Sequence, residues 1–192
     1  MTTARTSTNR SVVMRSWLIK IAVVTALAVL PLVSAARGAT ASSRTQTAVA
    51  PNYEARLATS INAVRKRHGL RCLRLVPELV RSSDSHSLQM ARGGFFSHQS
   101  RNGSSFNSRV QRFYRSRGYR YWAAGENLLW TGHATRPNQA VARWLASPAH
   151  RTILLSPTWT VMGVGVVQTP HGPGVFEGHA VLVITVDFAV RR

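Results

Sequence analysis

The sequence predicts an α+β fold, with helices first and an antiparallel pair of strands last. Four stretches between residues 52 and 148 carry apolar side chains at helical spacing. Two runs rich in β-branched residues, "TWTVMGVGVV" and "GHAVLVITVDFAV", close the chain, separated by the Gly- and Pro-containing "QTPHGPGVFE". Strands and helices do not alternate, which excludes a parallel sheet built from βαβ units. The 192 residues suffice for one domain with a hydrophobic core of its own.

The first 41 residues stand apart from that domain. A basic start precedes a charge-free, mostly apolar run from Ile21 to Ala36, and small residues follow it. That is the layout of a secretory signal peptide. The run holds 16 residues and includes Pro31, whereas a membrane-spanning helix needs about 20. Cleavage is therefore expected, after Ala41 in "ATA" or near Ala35 and Ala36, with retention as an anchor the alternative. A start at Met14 gives a leader of ordinary length. Residues 42–51, "SSRTQTAVAP", read as a flexible mature terminus, and residues 52–192 as the domain.

Within the domain, Leu57, Ile61, Val64 and His68 mark one face of a first helix. Arg56, Arg65 and Lys66 turn away from that face, and Gly69 is placed to stop the helix. "LRCLRLVPEL" then crosses in extended form until Pro77 opens a second helix, where its missing N–H costs nothing. The second helix has a thin apolar face of Leu79, Ser83, Met90 and Ala91, and serine at a packed position predicts a close helix approach. Gly93 and Gly94 end it. "FFSHQSRNGSSFNS" lacks periodicity and reads as loop. A short helix follows, with Ser108 as its cap, Val110, Phe113 and Tyr114 inward, and Arg112 and Arg115 outward. The fourth helix starts near Pro137, turns Ala140, Val141, Trp144 and Leu145 to one side, and stops at Pro148. The last strand is apolar almost throughout and is expected to be buried on both faces.

Five basic residues and no acid precede Ser42, so residues 42–192 hold 20 basic and 6 acidic residues, a formal +14. Only Lys20 and Lys66 are lysine. A GC-rich genome produces such an arginine bias, and the charge also attracts cell-wall polymers or lipid headgroups. Nucleic acid is not expected as a partner, because export argues against it and no recognisable nucleic-acid module is present. Cys72 is the only cysteine, so no internal disulfide forms. Its place between leucines in "HGLRCLRL" reads as a partly buried, inert thiol, with dimerisation through Cys72 the alternative.

Three segments set polar groups beside aromatic or helix-breaking residues: "FFSH" with His98, "GEN" with Glu126 and Asn127, and "SPAHR" with His150 and Arg151. Together with "INAVRKRHGL", "HSLQM" and "MGVGVV" they occur in one order between Leu57 and Phe188. In that order the chain resembles the bacterial branch of the CAP superfamily, the SCP-like proteins that include cysteine-rich secretory proteins, antigen 5 and plant pathogenesis-related 1. The resemblance implies an α-β-α sandwich with a small central antiparallel sheet, and a cleft where the "FSH" histidine meets the "GEN" glutamate. Eukaryotic members hold two histidines and two acids there, sometimes with a divalent metal. The second acid lies three residues after the helix tryptophan, which is Ser147 here, counted from Trp144. His150 looks like the counterpart of the second histidine. The resemblance therefore carries over His98, Glu126 and His150, and not the second acid. Asn127 and Arg151 stand beside them as further cleft and ligand-binding candidates, although a bond to loop backbone for Asn127, and pairing with an acid or capping a helix for Arg151, are the plainer roles. His86 fits a structural hydrogen bond, and His68, His133, His171 and His179 have no site context.

Three chemistries are open to a His–Glu–His set. It supplies three ligands for zinc or another divalent metal, with a fourth position left for water. It supplies a general acid and base, the carboxylate fixing one imidazole's tautomer. Or it is a polar network that closes the cleft. Loss of the second acid removes a ligand and a base together, which favours the network, and no catalytic residue is assigned. The function expected is ligand binding, to a lipid, glycan, protein or other anionic envelope component, by a secreted or cell-wall-associated protein without a transmembrane segment once the leader is removed. The competing readings are a secreted metal-dependent hydrolase using the same cleft and a basic structural protein of the envelope.

Overall fold

A computed structural model describes residues 47–192; the expected signal peptide and its expected cleavage site lie outside the described residues. In chain order the elements are β1 (Ala48–Val49), α1 (Pro51–Arg67), β2 (Arg74–Leu75), α2 (Pro77–Gly93), α3 (Phe106–Phe113), β3 (Trp122–Gly132), α4 (Pro137–Ala146), α5 (Pro148–Leu154), β4 (Val161–Thr169) and β5 (Val181–Arg191). Strand β5 runs antiparallel between β4 and β3. The other edge of β4 is shared by β1, antiparallel, and β2, parallel. Among the described residues no helix is long and apolar enough to cross a membrane.

The near-continuous apolar run of β5 is explained by helices on both faces of the sheet. Its even-numbered residues Leu182, Ile184, Val186 and Phe188 pack with Leu57 and Ile61 of α1, Trp144 of α4 and Leu154 of α5. Its odd-numbered residues turn to the other face, where Val181 and Val183 join Met90 of α2, and Ala189 joins Leu79 and Val110. Alternation with period two makes one strand serve two cores. The result is the expected α-β-α sandwich.

The small residues of α2 serve a strand rather than a helix. A Cβ on Gly163 would lie 2.1 Å from the Leu79 carbonyl carbon, and one on Gly165 would lie 2.3 Å from the Asp84 nitrogen. Ser87 Oγ donates to the Gly165 carbonyl at 3.0 Å and Ser83 Oγ to Asp187 Oδ2 at 3.0 Å. Helix backbone and sheet therefore meet through serine and glycine. The expectation of a close approach holds, with β4 as the partner.

Other expectations need correction. The terminus is not flexible up to residue 51: Ala48 and Val49 pair with Gln168 and Val167, and α1 already begins at Pro51. Arg65 is fully buried, because its long side chain reaches the carbonyl oxygens of Arg71, Leu154 and Ser156. The cap of α3 is Ser105, whose oxygen accepts from the Ser108 N–H. Pro148 ends α4 and also opens α5, as its locked φ suits a first helical position. Cys72 is exposed, since Leu73 takes the inward place in this extended stretch and its neighbours alternate outward.

Candidate functional site

The site is built on β3, the outer strand beside β5. Glu126 stands opposite Asp187 in register and on the α2/α3 face of the sheet, where its neighbour Leu128 also packs. Its side chain is completely buried and both oxygens are occupied. Oε1 accepts from His98 Nδ1 at 2.7 Å, and Oε2 is paired with the guanidinium of Arg109, from α3. Arg109 is itself buried and donates also to the His98 carbonyl at 3.1 Å and to Ser100 Oγ at 3.0 Å. A buried carboxylate needs such partners, because an unpaired charge is costly to desolvate. Glu126 thus ties the loop after α2 to the sheet through a cation. His98, with half of its side chain exposed, keeps Nε2 free of this pairing.

Asn127 follows Glu126 along a strand and so points to the opposite face. There its Nδ2 donates to the backbone carbonyl of His150 at 3.0 Å, which seats α5 on β3. The His150 ring faces Ser147, with Nδ1 2.8 Å from Oγ. Burial, then the nearby His98, hold the His150 imidazole below the ordinary histidine range. Of the two histidines, only His98 touches Glu126. Arg151 is exposed and borders a separate shallow pocket with Thr152, Leu155 and Pro157.

Three further residues belong to this neighbourhood. Arg109 lies one turn before Phe113 and beside Val110, so helical spacing places it on the inward side. Asp187 is the one acid in the apolar run of β5, and a charge there must be buried. Burial, then the charge of Glu126, push its carboxyl up to about 8. His86 of α2 is also fully buried and donates from Nε2 to the Ser97 carbonyl at 2.9 Å, beneath the His98 loop. Burial, then Arg109, bring its imidazole down to about 4. Elsewhere, burial raises Glu54 of α1 to about 7, with Asp84 adding to the shift and the Val166 N–H opposing it.

These shifts give stability a pH dependence of definite sign. A carboxyl whose folded value is raised stabilises the fold at low pH, and that contribution disappears as pH rises through the folded value. A histidine whose folded value is lowered acts in reverse, losing its contribution as pH falls below its ordinary 6.5. Below pH 6.5 the two kinds oppose each other; above it only the carboxyls act, up to about pH 8. The urea midpoint is expected to fall from pH 6.5 to pH 8, and Asp187→Asn to flatten the upper part of that fall.

The residues present do not fit a divalent metal. Glu126 already faces a guanidinium cation on one oxygen and His98 on the other, and His150 Nδ1 faces a serine. Among the described residues no group of three or more His, Cys, Asp or Glu side chains is arranged to hold an ion. A larger opening lies elsewhere. A pocket of about 490 Å³ between α1 and α4 is lined by Arg56, Thr59, Arg136 and Pro137. It shares Ser60 and Asn138 with an adjoining pocket of about 200 Å³ lined by Val64, Arg67, Val141, Ala142 and Leu145.

Comparison with known proteins places this architecture. The model of the cysteine-rich secretory protein family, CAP, matches residues 59–188. The uncharacterized protein YkwD of Bacillus subtilis is 35% identical over 136 residues, 68% of this chain and 50% of that protein. The uncharacterized membrane protein YlbC of the same organism is 32% identical over 105 residues, 55% of this chain and 29% of its own. The chain thus spans half or less of the length of these curated relatives. Among solved structures, an outer surface protein of Borrelia burgdorferi superposes with a TM-score of 0.64 at 18% identity, over 77% of this chain and 98% of that one. An extracellular protein containing a SCP domain from Bacillus anthracis gives a TM-score of 0.55 at 26% identity, over 74% of this chain and 41% of that one.

Proposed function

The chain belongs to the cysteine-rich secretory protein (CAP) family, and from that premise we propose that it is an extracellular binding protein of the bacterial envelope, exported with loss of the leader near residue 41. The observation that carries binding over catalysis is Glu126, whose two oxygens are both taken up by Arg109 and His98. A carboxylate so engaged is a brace for the cleft and is not free to serve as metal ligand or base. Of the ligand classes, lipid, glycan or protein, the groove between α1 and α4 favours a lipid. It joins the apolar Val64, Val141 and Leu145 to Arg56, Arg67 and Arg136, which suits an acyl chain with an acidic head.

Titration with a fluorescent fatty acid tests this reading. Saturable binding is expected, weakened at least about tenfold when Ala142→Trp fills the groove. Absence of saturable binding, or binding indifferent to that substitution, would overturn the lipid assignment. Ester hydrolysis by the purified protein that depends on zinc and on His98 would overturn the binding reading as a whole.

A further inference from the structure

We propose that the protein docks on anionic lipid bilayers through an arginine–tyrosine face formed by the chain after α3 and the last residue of the chain. The proposal deepens the envelope part of the reading above and uses none of the groove or cleft residues. The stretch from Arg115 to Tyr121, "RSRGYRY", places Arg115, Arg117 and Arg120 in solvent. Tyr119 and Tyr121 are 45% and 41% exposed. Arg192 joins them, because its backbone N–H donates to the Tyr121 carbonyl while the Tyr121 N–H donates to its own, at 3.1 and 2.9 Å.

The tyrosines are held in place. The Arg191 guanidinium stands 3.8 Å from the Tyr114 ring centroid and 4.9 Å from that of Tyr119, and Arg192 stands 4.9 Å from that of Tyr121. Arg191 also donates to the Arg115 carbonyl at 3.2 Å and is 3.8 Å from Glu78. Glu78 is thus already engaged with Arg191, and no ion pair joins an acid to Arg115, Arg117, Arg120 or Arg192 among the described residues. This part of the surface therefore carries four exposed arginines without an acidic partner and two exposed tyrosines whose rings are stacked on arginine.

That combination selects its partner. Guanidinium groups grip phosphate oxygens in two-point contacts. A soluble or wall-bound polyanion asks only for those charges. Exposed phenol rings gain from a partner with apolar depth beneath a polar layer, which is the bilayer interface, where tyrosine is enriched. Phosphate-bearing lipid is the partner that uses both parts of the face.

The test is co-sedimentation of the compact unit Ser42–Arg192, which holds both cores, with vesicles of phosphatidylcholine alone or with about 30% phosphatidylglycerol. Binding is expected only with phosphatidylglycerol and should weaken as salt rises. The triple variant Arg115→Gln, Arg117→Gln, Arg120→Gln should lose at least about tenfold, whereas Lys66→Gln, Arg81→Gln, Arg92→Gln, an equal charge change elsewhere, should lose little. Tyr119→Ser with Tyr121→Ser should weaken vesicle binding and leave retention on heparin unchanged. Equal loss in both triple variants would mean that net charge alone acts and would overturn the proposal. A tyrosine pair without effect on vesicles would overturn it too, in favour of a polyanion. Melting curves identify any variant that misfolds, and Arg120→Gln alone then replaces it. The fatty-acid titration separates the two readings, since vesicle binding lost with titration intact sinks only this proposal, and the converse sinks only the groove.

Discussion

Gly163→Ala is expected to cost more than about 3 kcal/mol of stability, or to prevent folding altogether, because the added methyl has nowhere to go. Its carbon would fall 2.1 Å from the Leu79 carbonyl carbon, 2.3 Å from the Leu79 oxygen and 2.4 Å from the Val80 nitrogen. All three are backbone atoms in the first turns of α2, so no rotamer change relieves the clash. The helix would have to lift from β4, which parts Leu79 from Val161 and Ala189 in one core and opens the seat of Ser83 against Asp187. Gly132→Ala is the control, as a Cβ there meets nothing within 4 Å. It should stay within about 0.5 kcal/mol of the parent. Urea unfolding of the two variants, followed by circular dichroism, decides. A Gly163→Ala domain as stable as the Gly132→Ala one would mean that α2 is not seated on β4 as described.

What the sequence revealed depended on whether one residue's surroundings are local. Proline and glycine act on their own backbone, so Pro77, Pro137 and the Gly93–Gly94 pair marked helix ends legibly. The β-branched runs of β4 and β5 were legible for the same reason. Strand β3 was not: "WAAGENLLWTG" mixes glycine, acid and amide with apolar residues, because its two faces meet different neighbours at the sheet's edge. Buried arginine defeats pattern reading in another way. Arg65 counts as polar in any periodicity, and so does Arg109 although its spacing from Phe113 puts it on the inward side, yet their length lets the charge reach carbonyl or carboxylate partners several residues or a whole element away. The meeting of His98 with Glu126 came from family resemblance, since nothing in a separation of 28 residues specifies it. Asp187 was legible in principle as a lone acid in a doubly buried strand, but its partners Ser83 and Glu126 come from other elements.

Those buried charges carry the last and most informative expectation. Arg109→Met should cost about 3–5 kcal/mol, the usual cost of breaking one partner out of a buried pair. It leaves the Glu126 carboxylate fully enclosed with only the half-exposed His98 beside it, and it frees the His98 carbonyl and Ser100 from their donor. Glu126→Leu should cost a similar amount for the reverse reason, an enclosed guanidinium without its acid. The double variant Arg109→Met, Glu126→Leu removes both charges at once. It should be less destabilised than the sum of the two single changes, with a coupling on the order of 1–3 kcal/mol. Limited proteolysis gives a second readout: Arg109→Met should make the loop from Phe95 to Ser104 easier to cleave, because the His98 carbonyl and Ser100 lose their tie to α3 and only the His98–Glu126 bond still holds the loop to β3. Simple additivity of the two changes would show that Glu126 and Arg109 are not energetically joined, and the carboxylate would then be free for the chemistry that this pairing denies it.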